Sequence, residues 1–577
     1  MTASTEMDTK QAIRVVLGLV RLFGELAVLV SALLCTAFTS VASGTLLAFF
    51  LVSPEASNSP SLLKLGIKSV AFGVLSLLLA LRLRWLSPHL SRIPYPKVTL
   101  KEPERPALPY LCVVVAAVGL FTVLNLSDYP RAEPDEMHHL IVARNLAVYG
   151  EYASGHPDSG FVRFDSYDSV GPTVILPVAG ALKAAGIALL PARIVIVAFY
   201  IVMLMALYSM FLPLFDGRGA ILGILFLSGA LGTSYLARTL YGEIPALLFL
   251  VCGLLCWRRA LVSRGRYASM LASGLFLGFA VITKMFAVFV VWAVLAAYLY
   301  DRLTFRRIQL VHLLLPAIAA GSLVLVWWGI QSRYQTVAEG VATGQLAVYQ
   351  HNLMFGLGSV SNTLGWLFRH GAIVLVSASC MAVAGFYVFY HRYDPSVVVL
   401  WMFAVFVAFW WVFFTSGNIP RYVWYALALS ASFVGPVVGM AISGAIRKRD
   451  GRWRMRPLRV FTVACLCVPF VMNMGQAFTA ALSHDDMQAD RALSEYVKSL
   501  PHDAEVATTF YPVERTLNFF ADRHVTRISA TREAVESHPC VILDAVSQRD
   551  LVDLLGATKR IERYAVYERT PQPDSAP

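Results

Sequence analysis

Apolar runs of bilayer-crossing length recur along this chain, each parted from the next by a short polar or basic connection, a pattern of membrane helices. The runs predict spans at approximately 27–52, 62–82, 107–126, 191–212, 220–237, 244–257, 268–283, 285–300, 309–330, 371–390, 397–414, 422–443 and 458–480. That makes about thirteen transmembrane helices, several of them short and closely spaced against the roughly 20 residues that hydrocarbon requires. After residue 480 the pattern changes. Asp485 to Leu500 predicts an amphipathic helix, Ala504 to Phe510 a strand, Thr516 to Arg523 a helix, Val541 to Asp544 a buried strand and Gln548 to Leu555 a further helix. A small α/β domain follows, large enough at roughly 95 residues to hold its own core. The tail from Thr570 to Pro577 is of the kind that stays disordered.

Composition agrees with the membrane reading: of 577 residues 57% are hydrophobic and 15% charged. The net charge of +12 would suit a nucleic-acid binder, but its distribution argues otherwise. The basic residues gather in alternate connections: Arg82 to Arg105, Trp257 to Arg266, Asp301 to Arg307, and Arg447 to Arg459. This is the Lys/Arg bias of cytoplasmic loops. The same parity puts the segments 127–190, Arg238 to Glu243, 331–370 and Thr415 to Arg421 outside, with the N-terminus inside and the C-terminal domain on the far side. The apolar region from Ile13 to Val52 is too long for a signal h-region and is expected to be retained. Arg14 and Arg21 share a helical face there, which suits a first stretch lying on the cytoplasmic surface. Seven of eight cysteines fall in apolar segments, so no disulfide framework or zinc ligand set follows.

Chemistry concentrates in the outside segments. Just after the span ending near Leu126, Glu133-Pro134-Asp135-Glu136-Met137-His138-His139 opens an amphipathic helix. Acidic residues behind a proline suit any helix start, so two adjacent carboxylates here have a purely structural explanation as well as a catalytic one. Further outside features arrive in order: Asp165 to Pro172 leading into the apolar helix Thr173 to Ala185, the turn Ala237-Arg238-Thr239 with Glu243, the lone Lys284 ending a span, and Arg421-Tyr422. Each cation also has a reading as an interfacial side chain that keeps its head in water, one that weighs less for Arg421 than for Lys284 and Arg238.

This ordered series resembles the GT-C superfamily of membrane glycosyltransferases, especially the branch of the lipid A aminoarabinose transferases and protein O-mannosyltransferases. The residues that carry the resemblance are the Asp135-Glu136 pair, the run Ala143-Arg144-Asn145-Leu146 to Gly150-Glu151-Tyr152, Gly171-Pro172, Ala237-Arg238-Thr239 with Glu243, Thr283-Lys284, and Arg421-Tyr422. The match spans most of 107–443. Two departures stand out: Ser169-Val170-Gly171-Pro172 replaces the usual Lys-Pro-Pro, and no proline follows Arg421-Tyr422 at the customary spacing. The resemblance implies a GT-C-like transmembrane catalytic domain over 107–480 with its outside loop at 127–190. Ahead of it come extra helices and a basic linker (1–106), and behind it the extracytoplasmic α/β domain (481–577).

The activity implied is transfer of a sugar, with inversion, from a polyprenyl-phosphate carrier to a hydroxyl of a glycan, lipid or protein. It would occur on the outer face of a multi-pass protein in a bacterial cytoplasmic (inner) membrane, with membrane lipid and no nucleic acid as partner. Asp135 is the expected base, with Glu136 or Glu243 positioning acceptor or sugar. Arg421, Lys284 and Arg238 are the expected holders of the donor phosphate. His138 and His139 raise a divalent metal ion or an acceptor contact. Consecutive helical residues point about 100° apart, however, so both imidazoles and both carboxylates converge poorly on one ion, and no metal ligand is assigned. A transporter or flippase of lipid-linked sugars would place its charges at mid-membrane in broken helices; a non-catalytic membrane scaffold would leave these side chains free to vary.

Overall fold

The computed structural model describes residues 107–568, with gaps at 159, 166–169, 216, 263–265, 336–364, 367–369, 391–392, 415–419, 450–451, 456, 484, 486 and 556–557, and before them only 77 and 81. The expected span at 27–52, nearly all of that at 62–82, and the tail after Thr570 therefore lie outside the described residues. The chain divides into two compact units, one of 1–98, 288–313 and 385–410, the other of 99–287, 314–384 and 411–577.

In chain order the first elements are α1 (Ala107–Val123), α2 (Pro134–Tyr149), β1 (Ala153–His156), β2 (Gly160–Arg163), α3 (Pro172–Ala185), α4 (Leu189–Phe211), α5 (Gly217–Ser228) and α6 (Thr233–Leu236). Next come α7 (Glu243–Val262), α8 (Arg266–Thr283), a 3-10 turn (Met285–Val288), α9 (Phe289–Thr304), α10 (Val311–Gln335), α11 (Gly371–Tyr390) and α12 (Pro395–Phe414). They are followed by α13 (Pro420–Ser432), α14 (Val434–Ala445), β3 (Ile446–Arg449), β4 (Arg452–Met455) and α15 (Pro457–Ser483). Among the described residues seven helical stretches are long and apolar enough to cross a membrane: Leu189–Phe211, Glu243–Val262, Arg266–Thr283, Met285–Thr304, Val311–Tyr334, Pro395–Val412 and Arg421–Gly439. Shorter apolar helices accompany them, and the whole is a polytopic helical membrane protein.

Two expected spans differ in detail. The span at 220–237 stops at Ser228, because Gly232 turns the chain at φ +79° before the short α6. The span at 422–443 is broken between α13 and α14. There Gly435 passes so close to the backbone of Gly223 that any Cβ would collide with it. Pro436, lacking an N–H, cannot continue the hydrogen-bond ladder. The basic connection at 447–459 is also more ordered than expected: β3 and β4 pair antiparallel.

In the first unit the basic turn after α9 is closed by Asp301, whose carboxylate accepts from the Ile308 N–H at 2.6 Å. Buried Tyr300 stands edge-on to Phe389, with ring centroids 5.2 Å apart.

The C-terminal segment of the second unit holds α16 (Gln488–Ser499), β5 (Val506–Thr508), α17 (Tyr511–Phe520), β6 (Val525–Arg527), α18 (Arg532–Glu536), β7 (Cys540–Asp544), α19 (Arg549–Leu555), β8 (Lys559–Ile561) and β9 (Tyr564–Glu568). The five strands form one sheet in the order β6-β5-β7-β9-β8, with β5 parallel to both β6 and β7 and the rest antiparallel. Successive residues of a strand face opposite ways. Accordingly Val506, Ile542 and Val566 pack against Leu493, Val497, Val513 and Leu517 on one side, while Ala507, Val541 and Leu543 meet Val535 and Leu551 on the other.

Candidate active site

Helix α2 carries the acidic motif, and three sets of contacts fix it. Its apolar side, Met137, Leu140, Ile141 and Val142, joins Val174, Ile175 and Val178 of α3 in one buried cluster that also takes in Met487 and Phe519. Glu136 is the second anchor. Fully buried, it receives two hydrogen bonds from Arg193 of α4, at 3.0 and 2.8 Å, while Arg193 also donates to the carbonyls of Leu126 and Pro130. The C-terminal segment supplies the third: Arg515 of α17 donates to the Pro134 carbonyl at 3.3 Å, Arg144 pairs with Asp522, and just ahead of the helix Arg131 grips Asp490 at 2.9 Å through two nitrogens. Tyr564 donates to the same Asp490 at 2.6 Å. Removing that carboxylate takes the charged acceptor from both a guanidinium and a phenol. Asp490→Ala is therefore expected to lower stability by about 1.5–3 kcal/mol, read as a lower melting midpoint of the protein in detergent.

With α2 so held, Asp135 in its first turn points to a cavity of about 460 Å³ lined by Glu133, Asp135, Tyr235, Arg421, Trp424 and apolar neighbours. Arg421, at the start of α13, donates to Asp135 at 2.5 Å and lies 4.9 Å above the ring of Tyr241. Burial opposes ionisation of Asp135, but the charge and hydrogen bond of Arg421 outweigh it and hold the carboxyl below its usual range. Beside this pair, Lys284 lies 3.5 Å from Glu243, both almost wholly buried. Asp135, Lys284, Arg421 and His139 are close enough to act on one another electrostatically. Burial first, and then the positive charge of Lys284, push the His139 imidazole well below its ordinary range, so it is neutral near pH 7.

Three segments meet to set Lys284 against Glu243. The Gly171 N–H donates to the Thr283 carbonyl at 3.3 Å, and a side chain at Gly171 would strike the Ile282 carbonyl. Gly242, at φ +82°, brings its turn within van der Waals reach of Val170 and Thr283. The glycine of the Gly171-Pro172 motif is thus required by close backbone approach.

Of the residues singled out by sequence, Asp135, Arg421, Lys284, Glu243 and His139 come together. Glu136 and Arg238 do not join them. Glu136 is committed to Arg193, and Arg238 is buried with its nitrogens on the Phe121 and Leu124 carbonyls at 2.8 Å, where it closes the end of α1. His138 turns the other way, 3.9 Å from Asp165. Among the described residues no three His, Cys, Asp or Glu side chains gather into a set that could hold a metal ion, and His139 lies near Asp135 and the cations Lys284, Arg421 and Arg515. Glu133, Tyr235 and Tyr241 were not anticipated, nor was Arg193, although a lone arginine inside the apolar run Leu189 to Phe211 signals a buried partner.

The site is thus an acid–arginine pair in a cavity of a polytopic helical bundle, beside a buried lysine–glutamate pair. Residues 171–328 match the family described as dolichyl-phosphate-mannose-protein mannosyltransferase. No curated protein matches the sequence. Among solved structures, ArnT from Cupriavidus metallidurans bound to undecaprenyl phosphate is similar with a TM-score of 0.56 at 14% identity, covering 80% of this chain and 98% of that one. Its apo form gives 0.56 at 15% with the same coverage. The archaeal oligosaccharyltransferase AglB from Archaeoglobus fulgidus, in complex with an inhibitory peptide and a dolichol-phosphate, gives 0.47 at 11%, covering 75% and 69%. The ArnT likeness is one of fold. Together with the family match it indicates a GT-C glycosyltransferase resembling the branch that holds ArnT and the protein mannosyltransferases.

Proposed function

We propose that this protein transfers a sugar from a polyprenyl-phosphate carrier to a hydroxyl of an envelope glycan, lipid or protein, at the non-cytoplasmic face of a bacterial inner membrane, with inversion. The single observation that carries this reading is the Asp135–Arg421 pair in the cavity. Loop charge supports the orientation, with the C-terminal α/β domain on the same outer side and about thirteen helices in all. The lipid bound in ArnT supports a polyprenyl phosphate as donor carrier.

In the reaction the acceptor oxygen forms a bond to the anomeric carbon while the bond from that carbon to the phosphate oxygen breaks, and its electron pair leaves with the phosphate. The acceptor's proton passes to Asp135. Arg421 is shared between two anions in turn. In the resting site it keeps Asp135 ionised. An arriving phosphate competes for the guanidinium, which leaves the carboxylate freer to take a proton as charge grows on the leaving group. Lys284, with Glu243 beside it, adds a second positive charge to the phosphate position. Because phosphate leaves as a stable anion, no general acid is required. Glu136 and Arg238 support this site from outside it.

Reconstituted protein supplied with synthetic undecaprenyl-phosphate sugars and lipid or glycan acceptors tests the reading; absence of transfer from every donor would overturn it. A pH profile tests the pairing. With its carboxyl held low by Arg421, Asp135 stays ionised as pH falls, and the acid limb of kcat/KM should lie below about pH 4. In Arg421→Met the largest influence opposing burial is gone and only the lesser ones of His139 and Lys284 remain, so the limb should move upward while the maximum rate drops. An unmoved limb would separate Arg421 from Asp135.

A further inference from the structure

The cavity holds a second carboxylate. Glu133 precedes α2, is exposed, and lines the same cavity as Asp135. The two differ in their partners. Asp135 is neutralised by Arg421 at 2.5 Å, whereas one oxygen of Glu133 accepts from the Tyr241 hydroxyl at 2.6 Å, and its partners among the described residues are phenols. Tyr241 is almost wholly buried, and its hydroxyl lies 3.4 Å from that of Tyr235, which also lines the cavity. The Tyr241 hydroxyl holds the Oε2 of Glu133, and no described cation is paired with this carboxylate. A fixed anion at the mouth of a cavity is a strong acceptor for hydrogen-bond donors of a ligand. The guanidinium of Arg421 lies over the face of the same Tyr241 ring whose hydroxyl Glu133 holds. Cation and carboxylate therefore meet one aromatic ring, the first over its face and the second at its hydroxyl.

We propose that Glu133, held by Tyr241, is the specificity-determining residue for the transferred sugar: with the donor phosphate at Arg421, its carboxylate accepts a hydrogen bond from a hydroxyl of the sugar ring. This rests on the glycosyltransferase reading above. Glu133 neither forms nor breaks a bond in the reaction; it selects. A site built to accept from a hydroxyl rejects the analogue that lacks it, because the site's polar group is left without its donor.

The experiment uses the full chain in vesicles with an undecaprenyl-phosphate-linked sugar that the wild type transfers, together with its monodeoxy analogues. For wild type, one deoxy analogue should lose about 10- to 100-fold in kcat/KM, the worth of a charge-assisted hydrogen bond. In Glu133→Ala the parent sugar should fall by a similar factor and the deoxy analogue should lose nothing further. Tyr241→Phe should show a weakened form of the same loss of discrimination, and an unchanged melting midpoint for Glu133→Ala excludes misfolding. Wild-type transfer with an identical deoxy profile in Glu133→Ala overturns this inference alone; no transfer by wild type from any lipid-linked sugar overturns the glycosyltransferase reading and this inference with it.

Discussion

Asp135→Asn, expressed in membranes to the wild-type level, should transfer sugar from a radiolabelled polyprenyl-phosphate donor about 10²- to 10⁴-fold more slowly than wild type, the usual worth of a positioned base. The amide keeps the size and one acceptor oxygen of the carboxyl, so Arg421 retains a hydrogen-bond partner and the cavity its shape. What it loses is the ability to take a proton at the moment the acceptor oxygen attacks. Both Asp135 and Arg421 face the cavity, with side chains 37% and 21% exposed, so the guanidinium left without its anion can still be hydrated. The melting midpoint should therefore stay close to wild type while the rate collapses. Equal rates for the two proteins would make the pair a structural clasp and remove Asp135 as the base. Transfer by neither would turn attention to a transporter of lipid-linked sugars.

How far such a site can be read from sequence depends on which dimension the information occupies. The spans were legible because the bilayer acts on each run locally: a helix of sufficient length and apolarity is stable there whatever its neighbours are. The breaks at Gly232 and between Ser432 and Val434 were not, because each answers to a neighbour; Gly435 matters only against Gly223. Asp135 and Arg421 were singled out separately by resemblance, yet their pairing joins residues 286 positions apart and needed the fold. That Glu136, expected to position acceptor or sugar, turns away from the cavity was beyond reach for a simpler reason. Adjacent helical residues diverge by about 100°, so one faces the cavity and the other the core, and only packing says which. Within the C-terminal segment the longer helices and the buried strands at 506–508 and 540–544 were apparent from alternation. The edge strands β6 and β8 were not, being three residues each and partly solvent-facing, and neither was β9, Tyr564–Glu568, although it lies inside the sheet.

Glu136→Ala should fail in a different manner, by losing the folded protein. Glu136 and Arg193 are both completely buried and bound through two hydrogen bonds, and the carboxylate also accepts from the Leu240 N–H at 3.3 Å. Breaking one member of a buried pair strands the other charge without compensation and costs about 3–5 kcal/mol. The loss would be felt where Arg193 ties α4 to the Leu126 and Pro130 carbonyls, which lead directly into the Asp135 turn. The expected result is a sharply lower yield and melting midpoint in detergent, with Arg193→Met behaving alike. In the double variant Glu136→Leu with Arg193→Met both charges are gone, and much of the stability should return, since replacing a buried pair by apolar groups is often neutral. Transfer measured on that stabilised double variant then separates the two roles. Recovery of activity makes Glu136 an anchor for the helix that presents Asp135; a folded protein that cannot transfer would make Glu136 part of the chemistry after all.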